Sequence, residues 1–265
     1  MSDWEYLTLE KDDRILIVSF DSLNQINSLN IKLMRELTSL AIDLQQDNEL
    51  SAVVLRGNDT MFTGGMNLKD SEILSARDGT MADERILAKV GPSMCAAWEA
   101  LDLVTIVAIE GWCIGGGVAL AAACDWRVAG SDAKIYVPEL KLGMNMSWQS
   151  IPRLVNLIGP SKTKELLILA EPQGADLAKE WGLIDHIAHP GEALNKARDL
   201  AIKVAEMPPI PVRMTKRAVT VSATALNNAT SFMDVDQFVV TQHTSDAQEG
   251  LAAFFEKRKP KFEGC

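Results

Sequence analysis

The sequence predicts an α/β fold with parallel strand pairing, and three observations carry that prediction. Through the first half, short β-rich runs alternate with stretches whose apolar residues recur at helical spacing, the order expected of strands joined by crossover helices. Beyond residue 150 the helical pattern dominates. Apolar residues make up 47% of the 265 positions, ample for a sizeable core.

In order, residues 15–20 are a short β-rich run, and residues 30–46 have the apolar spacing of an amphipathic helix. Residues 52–56 form a second, buried strand, and the turn-rich loop GNDTMFTGGMNL follows. Helical spacing returns over 81–101. Residues 104–110 are an apolar strand, 115–123 a helix, and 125–129 and 134–137 two more strands. Helices are expected at 151–158, 162–169, 176–181, 190–206, 211–227 and 246–257. Prolines 208, 209 and 211 break the helical pattern, so residues 1–207 are read as an α/β core and 208–265 as a C-terminal helical subdomain. There is no internal repeat and no low-complexity stretch.

Composition narrows the function classes. No stretch approaches the roughly 18 uninterrupted apolar residues of a membrane span, and the N-terminus, Met1-Ser2-Asp3-Trp4-Glu5, is acidic where a signal peptide is basic. A soluble, cytoplasmic protein is expected. Cys95, Cys113, Cys124 and Cys265 match neither a metal knuckle nor a disulfide framework, and read as reduced thiols. His186, His189 and His243 fall in no HExxH pattern and near no GxSxG elbow, which weighs against zinc and serine hydrolases. A net charge of −10 argues against nucleic acid. The stretch EKRKPKF departs from that balance, either as a solvated basic tail or as a local anion site.

The stretch IEGWCIGGGVALAAACD places Gly115-Gly116-Gly117 at the opening of a helix, the setting for an anion site of backbone N–H groups. A dinucleotide fingerprint fails, because Leu120 stands where the third glycine belongs and no acid closes the next strand. A P-loop fails for want of Gly-Lys-Ser/Thr. The glycines equally allow Ala119, Ala121, Ala122 and Ala123 to pack closely. What favours a site is a second glycine loop, FTGGMNL, which also follows an apolar strand: two such loops can aim two N–H groups at one oxygen.

These residues resemble the enoyl-CoA hydratase/isomerase (crotonase) superfamily. MFTGGMNLKD and IEGWCIGGGVALAAACDWRVA are similar to its two oxyanion segments, YVPELKLGM to the segment carrying a catalytic acid, AKEWGLID to its A-x-x-x-G-L-V-D stretch, and SDAQEGLAAFFEKRKPKF to its C-terminal signature. The resemblance spans about residues 15–262 in the expected order. It implies a spiral ββα core with a trimerising helical C-terminus, a homotrimer or dimer of trimers, and an acyl-CoA substrate. Coenzyme A would enter only as part of the thioester, with no further cofactor and no metal.

Carried over by position, the resemblance makes the N–H groups of Met66 and Gly116 the oxyanion hole and Glu139 the catalytic carboxylate. Thr63, Gly64, Gly65 and Gly115 surround them in substrate binding. Phe254 and Lys257 match residues that contact the CoA adenine and phosphate from a neighbouring subunit. Met144 and Trp148, with Met146, fall at an acyl pocket or in the core, and Asn145, Ser147 and Gln149 are polar groups able to orient water or a hydroxyl. Ser147 stands where dienoyl-CoA isomerases keep an aspartate, which disfavours that chemistry.

The second carboxylate of the family's hydratases is Ala119 here. Hydration usually divides its proton transfers between two carboxylates, whereas one suits a 1,3-proton shift, so the expectation is an enoyl-CoA isomerase. Burial beside an apolar pocket would raise the Glu139 pKa toward the working pH. The alternatives are a hydratase, or another crotonase reaction, with a relocated second acid, for which Asp70, Glu72, Asp78, Asp83 and Glu84 are candidates, and a catalytically silent acyl-CoA-binding scaffold.

Overall fold

Alternate residues of a strand face opposite sides of a sheet, so strands apolar at every position need a cover on both. The computed structural model, which describes residues 4–265, provides two; residues 1–3 of the acidic N-terminus lie outside the described residues. A six-stranded sheet is built from β1 (Leu7–Asp12), β2 (Ile15–Phe20), β3 (Ala52–Arg56), β4 (Val104–Ile109), β6 (Trp126–Gly130) and β9 (His186–Ala188), in that spatial order. All neighbours pair in parallel except β1 with β2. Val18, Phe20, Val53, Leu55, Val107 and Ile109 point into the main core, where α1 (Ile31–Leu44), α4 (Val90–Glu99) and α5 (Gly116–Ala122) cover them. Ile15, Ile17, Ala52, Val54 and Ile106 point the other way, onto Ala193, Ala197 and Ala201 of α8 (Ala193–Ala205). That alanine stripe at four-residue spacing lets the helix lie close to the sheet.

The small second sheet, β5-β7-β8, is made of Trp112–Ile114, Lys134–Tyr136 and Gln173–Gly174. The chain visits the large sheet, then the small one, then a helix: β4, β5, α5, then β6, β7. This is the ββα spiral. The glycines 115–117 therefore follow β5 of the small sheet, not the apolar strand β4, from which Glu110 and Gly111 (φ +55) separate it.

The predicted helix over 81–101 is divided into α3 (Met81–Leu87) and α4, and α2 (Ser71–Arg77) precedes them. Thr80 opens α3 with a reciprocal capping box to Asp83. α6 (Ser150–Lys164) breaks at Gly159, where φ is +71, and continues through Pro160 into a π-helical turn over Glu165–Leu169. Pro209 and Pro211 lie inside the first turn of α9 (Pro209–Thr224) rather than outside a helix, because first-turn N–H groups have no helical acceptor to lose. After α7 (Ala175–Trp181) and α8, the chain ends in α9, α10 (Asn227–Ser231), α11 (Asp234–Gln242) and α12 (Ser245–Glu256). Among the described residues no helix is long and apolar enough to cross a membrane.

α12 returns to a 3-10 turn over Glu139–Leu142 and touches it backbone to backbone. A Cβ at Gly250 would stand 2.5 Å from the Leu142 carbonyl carbon, and one at Gly143 (φ +72) would collide with the backbone of Ala247. The C-terminal helix is thereby fastened beside the turn that carries Glu139.

Candidate active site

Two loops are brought into step by a short parallel bridge. Thr63 pairs with Cys113 of β5, with the Thr63 N–H donating to the Trp112 carbonyl at 2.9 Å and the Ile114 N–H to the Thr63 carbonyl at 3.0 Å. Three residues beyond each bridge partner come Met66 and Gly116. Each is preceded by a glycine of positive φ, Gly65 at +86 and Gly115 at +52. That conformation turns the following N–H out of the local ladder and is strained for a residue with a side chain. Among the described residues neither the Met66 nor the Gly116 N–H has a protein acceptor, and both residues line one cavity of about 1200 Å3. Gly116 is moreover the first residue of α5, so its N–H belongs to the positive end of that helix.

Glu139 opens the 3-10 turn beside these donors. A Cβ on Gly115 would lie 2.5 Å from its Oε1, so the glycine is what admits the carboxyl. The residue as a whole is half-buried, yet Oε2 is buried and has no hydrogen-bond partner among the described residues. Burial pushes its pKa up to about 7, while its own backbone N–H works in the opposite direction. A carboxyl poised near neutrality beside two unused N–H groups can move a proton at the carbon next to a carbonyl whose oxygen those groups hold.

Glu139 is the one carboxylate among the cavity's lining residues. Ala119, fully buried in α5, is not among them. The five candidate replacement acids also stand elsewhere. Asp70 caps α2 and accepts from the Ile31 N–H, Glu72 pairs with Arg35, and Asp83 belongs to the Thr80 box. Glu84 meets His243 at 2.8 Å in a smaller neighbouring pocket, and Asp78 ends α2.

The cavity also gathers Gly64, Gly65, Gly115, Met144, Trp148 and Phe254. Thr63 is a correction: it is fully buried behind the loop, its hydroxyl donating to the Asn27 carbonyl at 2.6 Å and accepting from the Gly65 N–H at 3.1 Å, so it shapes the loop without facing the cavity. Lys257 stands outside the lining, which takes its cations from Lys69, Arg77, Lys141, Arg258 and Lys259. Arg258 is paired with Glu249 and Glu256; the remaining four cations against one carboxylate still make the lining basic in an acidic protein. Sequence reasoning missed Asn27, a buried residue at φ +43 whose amide donates to the carbonyls of Phe20 and Phe62 at 3.2 and 2.8 Å and ties the first glycine loop to the sheet. It missed Asp234 and Arg153 as well, which hold the turn around Trp148. The signal for all three is tertiary; only the turn-rich composition of 21–30 hints at the first.

A thioester- or carbonyl-polarising enzyme site on a ββα spiral is the class these features define. Residues 10–265 match the family model described as enoyl-CoA hydratase/isomerase, and the chain belongs to that family. A probable enoyl-CoA hydratase of Mycobacterium tuberculosis is 30% identical over 262 residues, with 98% of each chain covered. A crotonyl-CoA hydratase of Syntrophomonas wolfei is 30% identical over 261 residues at the same coverage. Among solved structures, an enoyl-CoA hydratase of Bacillus anthracis is similar at 28% identity and a TM-score of 0.76, covering 98% of this chain and 100% of that one. An enoyl-CoA hydratase/isomerase of Pseudoalteromonas atlantica, at 23% identity, TM-score 0.87 and the same coverage, shares the crotonase-like fold.

Proposed function

We propose that the protein acts on acyl-CoA thioesters through an enolate, most directly as an isomerase converting 3-enoyl-CoA to 2-enoyl-CoA. The observation that carries this reading is the pairing of one buried carboxylate, Glu139, with two unused N–H groups in a single cavity. The Met66 and Gly116 N–H groups hold the thioester oxygen. Glu139 takes a proton from C2, the electron pair passes into the dienolate, and the same carboxyl returns the proton at C4, so the double bond moves with no net change in atoms. Coenzyme A arrives as part of the substrate, its phosphates facing the lysines and arginines of the mouth and its adenine facing Phe254, and no resident cofactor takes part. Hydration is the second reading, favoured by the names of the relatives at 30% identity; with Glu139 the one carboxylate lining the cavity, it needs room for a water beside C3 and solvent in the part a second carboxylate would otherwise play. The test is α-proton exchange of a saturated acyl-CoA in D2O together with double-bond migration in 3-hexenoyl-CoA. Tight acyl-CoA binding with neither reaction would leave a binding scaffold.

The reading includes a homotrimer or dimer of trimers. α9 buries none of its residues within the chain; Ile210, Met214 and Val221 share one exposed face of it, and Leu226 and Phe232 are exposed beyond its end, apolar surface of the kind a subunit interface covers. Small-angle scattering is expected to return three or six times the 29.0 kDa chain mass; a monomer at micromolar concentration would remove this part. A cytoplasmic location is supported by four free cysteines, three of them buried.

A further inference from the structure

Residues 147–150 form a turn that the backbone alone would not choose. Trp148 and Gln149 both have positive φ, +63 and +55, a region in which a bulky side chain is an outlier. Such strain persists where the surroundings impose it, and it clusters at functional sites. Here the surroundings are explicit. The buried Arg153 donates Nη1 to the Trp148 carbonyl at 2.9 Å and to the Gln149 carbonyl at 3.2 Å, while its Nε and Nη2 grip Glu99 at 2.8 and 2.9 Å. Asp234, reaching in from α11, accepts from the Ser147 hydroxyl at 2.7 Å and the Gln149 N–H at 3.1 Å.

What this scaffold holds is an indole. The Trp148 ring lies against the bare Cα of Gly91 on α4 and of Gly116 on α5; a Cβ at either would run into it. Gly116 supplies one of the two cavity N–H groups, and the preceding Cα, that of Gly115, is the one against the Glu139 carboxyl. Consecutive glycines therefore carry the carboxyl on one and the indole on the next. Ala119 lies three residues along α5 on the same face as Gly116, and helical side chains lean toward the N-terminus. A longer side chain there would compete with the indole for space.

We propose that Trp148 is a specificity-determining residue whose indole fills the space beside the Gly116 N–H and keeps that side of the cavity free of water, so that the dienolate is reprotonated at C4 and the enoyl product is not hydrated. This rests on the enolate reading above. Hydration of a 2-enoyl thioester forms a C3–O bond from water, pushes the C2=C3 pair through the enolate, takes a proton onto C2 from the Glu139 carboxyl and releases the second water proton to solvent, which reprotonates Glu139. It needs a water within reach of C3, and an apolar wall denies it a place.

The experiment supplies 3-hexenoyl-CoA and measures by mass spectrometry the ratio of 3-hydroxyacyl-CoA to 2-enoyl-CoA for wild type, Trp148→Ala and Trp148→Phe, with α-proton exchange of butyryl-CoA in D2O as control. Trp148→Ala is expected to raise the ratio of hydrated to isomerised product at least about tenfold, whatever its effect on overall turnover, and Trp148→Phe to stay near wild type. Should Trp148→Ala fold poorly, Trp148→Leu, which keeps part of the bulk, is expected to give an intermediate ratio. An unchanged product ratio in both the Ala and Leu variants overturns the inference, at whatever rate they turn over, as does a wild type that hydrates as fast as it isomerises. A wild type that exchanges no α-proton overturns the enolate reading itself, and this inference with it.

Discussion

Replacing Glu139 by Gln is expected to lower α-proton exchange and double-bond migration by about 10²- to 10⁴-fold, the usual worth of a positioned general base, with acyl-CoA affinity little changed because the N–H groups and the basic mouth remain. The wild-type pH profile should carry the same signature. A base must be ionised to act, so kcat/KM is expected to rise with pH and level off above about 7, where burial has placed the carboxyl's pKa. The stability effect runs the other way. The folded carboxyl, with a pKa of about 7, holds its proton over a range in which the unfolded one, at its ordinary 4.5, has lost it. The folded state binds more protons between those values, so stability falls as pH rises through the window and stays lower above it. Glu139→Gln escapes that loss. It should be more resistant to urea than wild type at pH 8, by up to about 3 kcal/mol, with the difference fading by pH 4.5. A variant that is slow and also less stable than wild type at every pH would mean that Glu139 is structural; one that still exchanges α-protons would send the search for the base to the turn around Ser147 and Asp234.

How far the sequence discloses this site depends on which interactions are local. The apolar runs that became β2, β3 and β4 were legible because a strand covered on both faces has little choice of residue. β1 was not: beyond Leu7 and Leu9 its LTLEKD is polar, and it owes its place to antiparallel pairing with β2 through a turn at Asp13, φ +52. β5 was lost inside the glycine-rich stretch, since three residues are too few to show a period, yet it sets the register that puts Met66 and Gly116 in step. At the site, the glycine loops and Glu139 stand out by residue type and order. The empty position at 119 is visible in the sequence, but what stands near it is not. Trp148 reaches Gly116 from 32 positions away in the chain, and its conformation depends on Arg153, Glu99 and Asp234, residues of three helices that no sequence period connects.

The last large effect concerns glycines and separates crowding from strain. Gly115→Ala is expected to reduce turnover by about 10²- to 10³-fold, the cost of misplacing an oxyanion donor. It acts twice: alanine resists the positive φ that turns the Gly116 N–H into the cavity, and its Cβ would stand 2.5 Å from Glu139 Oε1, driving the carboxyl aside. Gly65→Val should do comparable damage on the other side of the hole, since a β-branched residue is poorly tolerated at φ +86 and its Cβ would press on the Ile114 carbonyl at 3.0 Å. Either change also costs stability by roughly 1 to 2 kcal/mol, so a loss of activity alone would be ambiguous. Gly191→Ala supplies the comparison: its φ is +82, nothing lies within 4 Å of the added Cβ, and it is outside the cavity. Thermal melting should show all three variants destabilised, and only Gly115→Ala and Gly65→Val inactive. Equal activity in the three would mean that the N–H groups after Gly65 and Gly115 hold nothing that reacts. The expected split ties the geometry of two backbone turns to the chemistry through the one property that sets them apart from Gly191, the N–H each aims into the cavity.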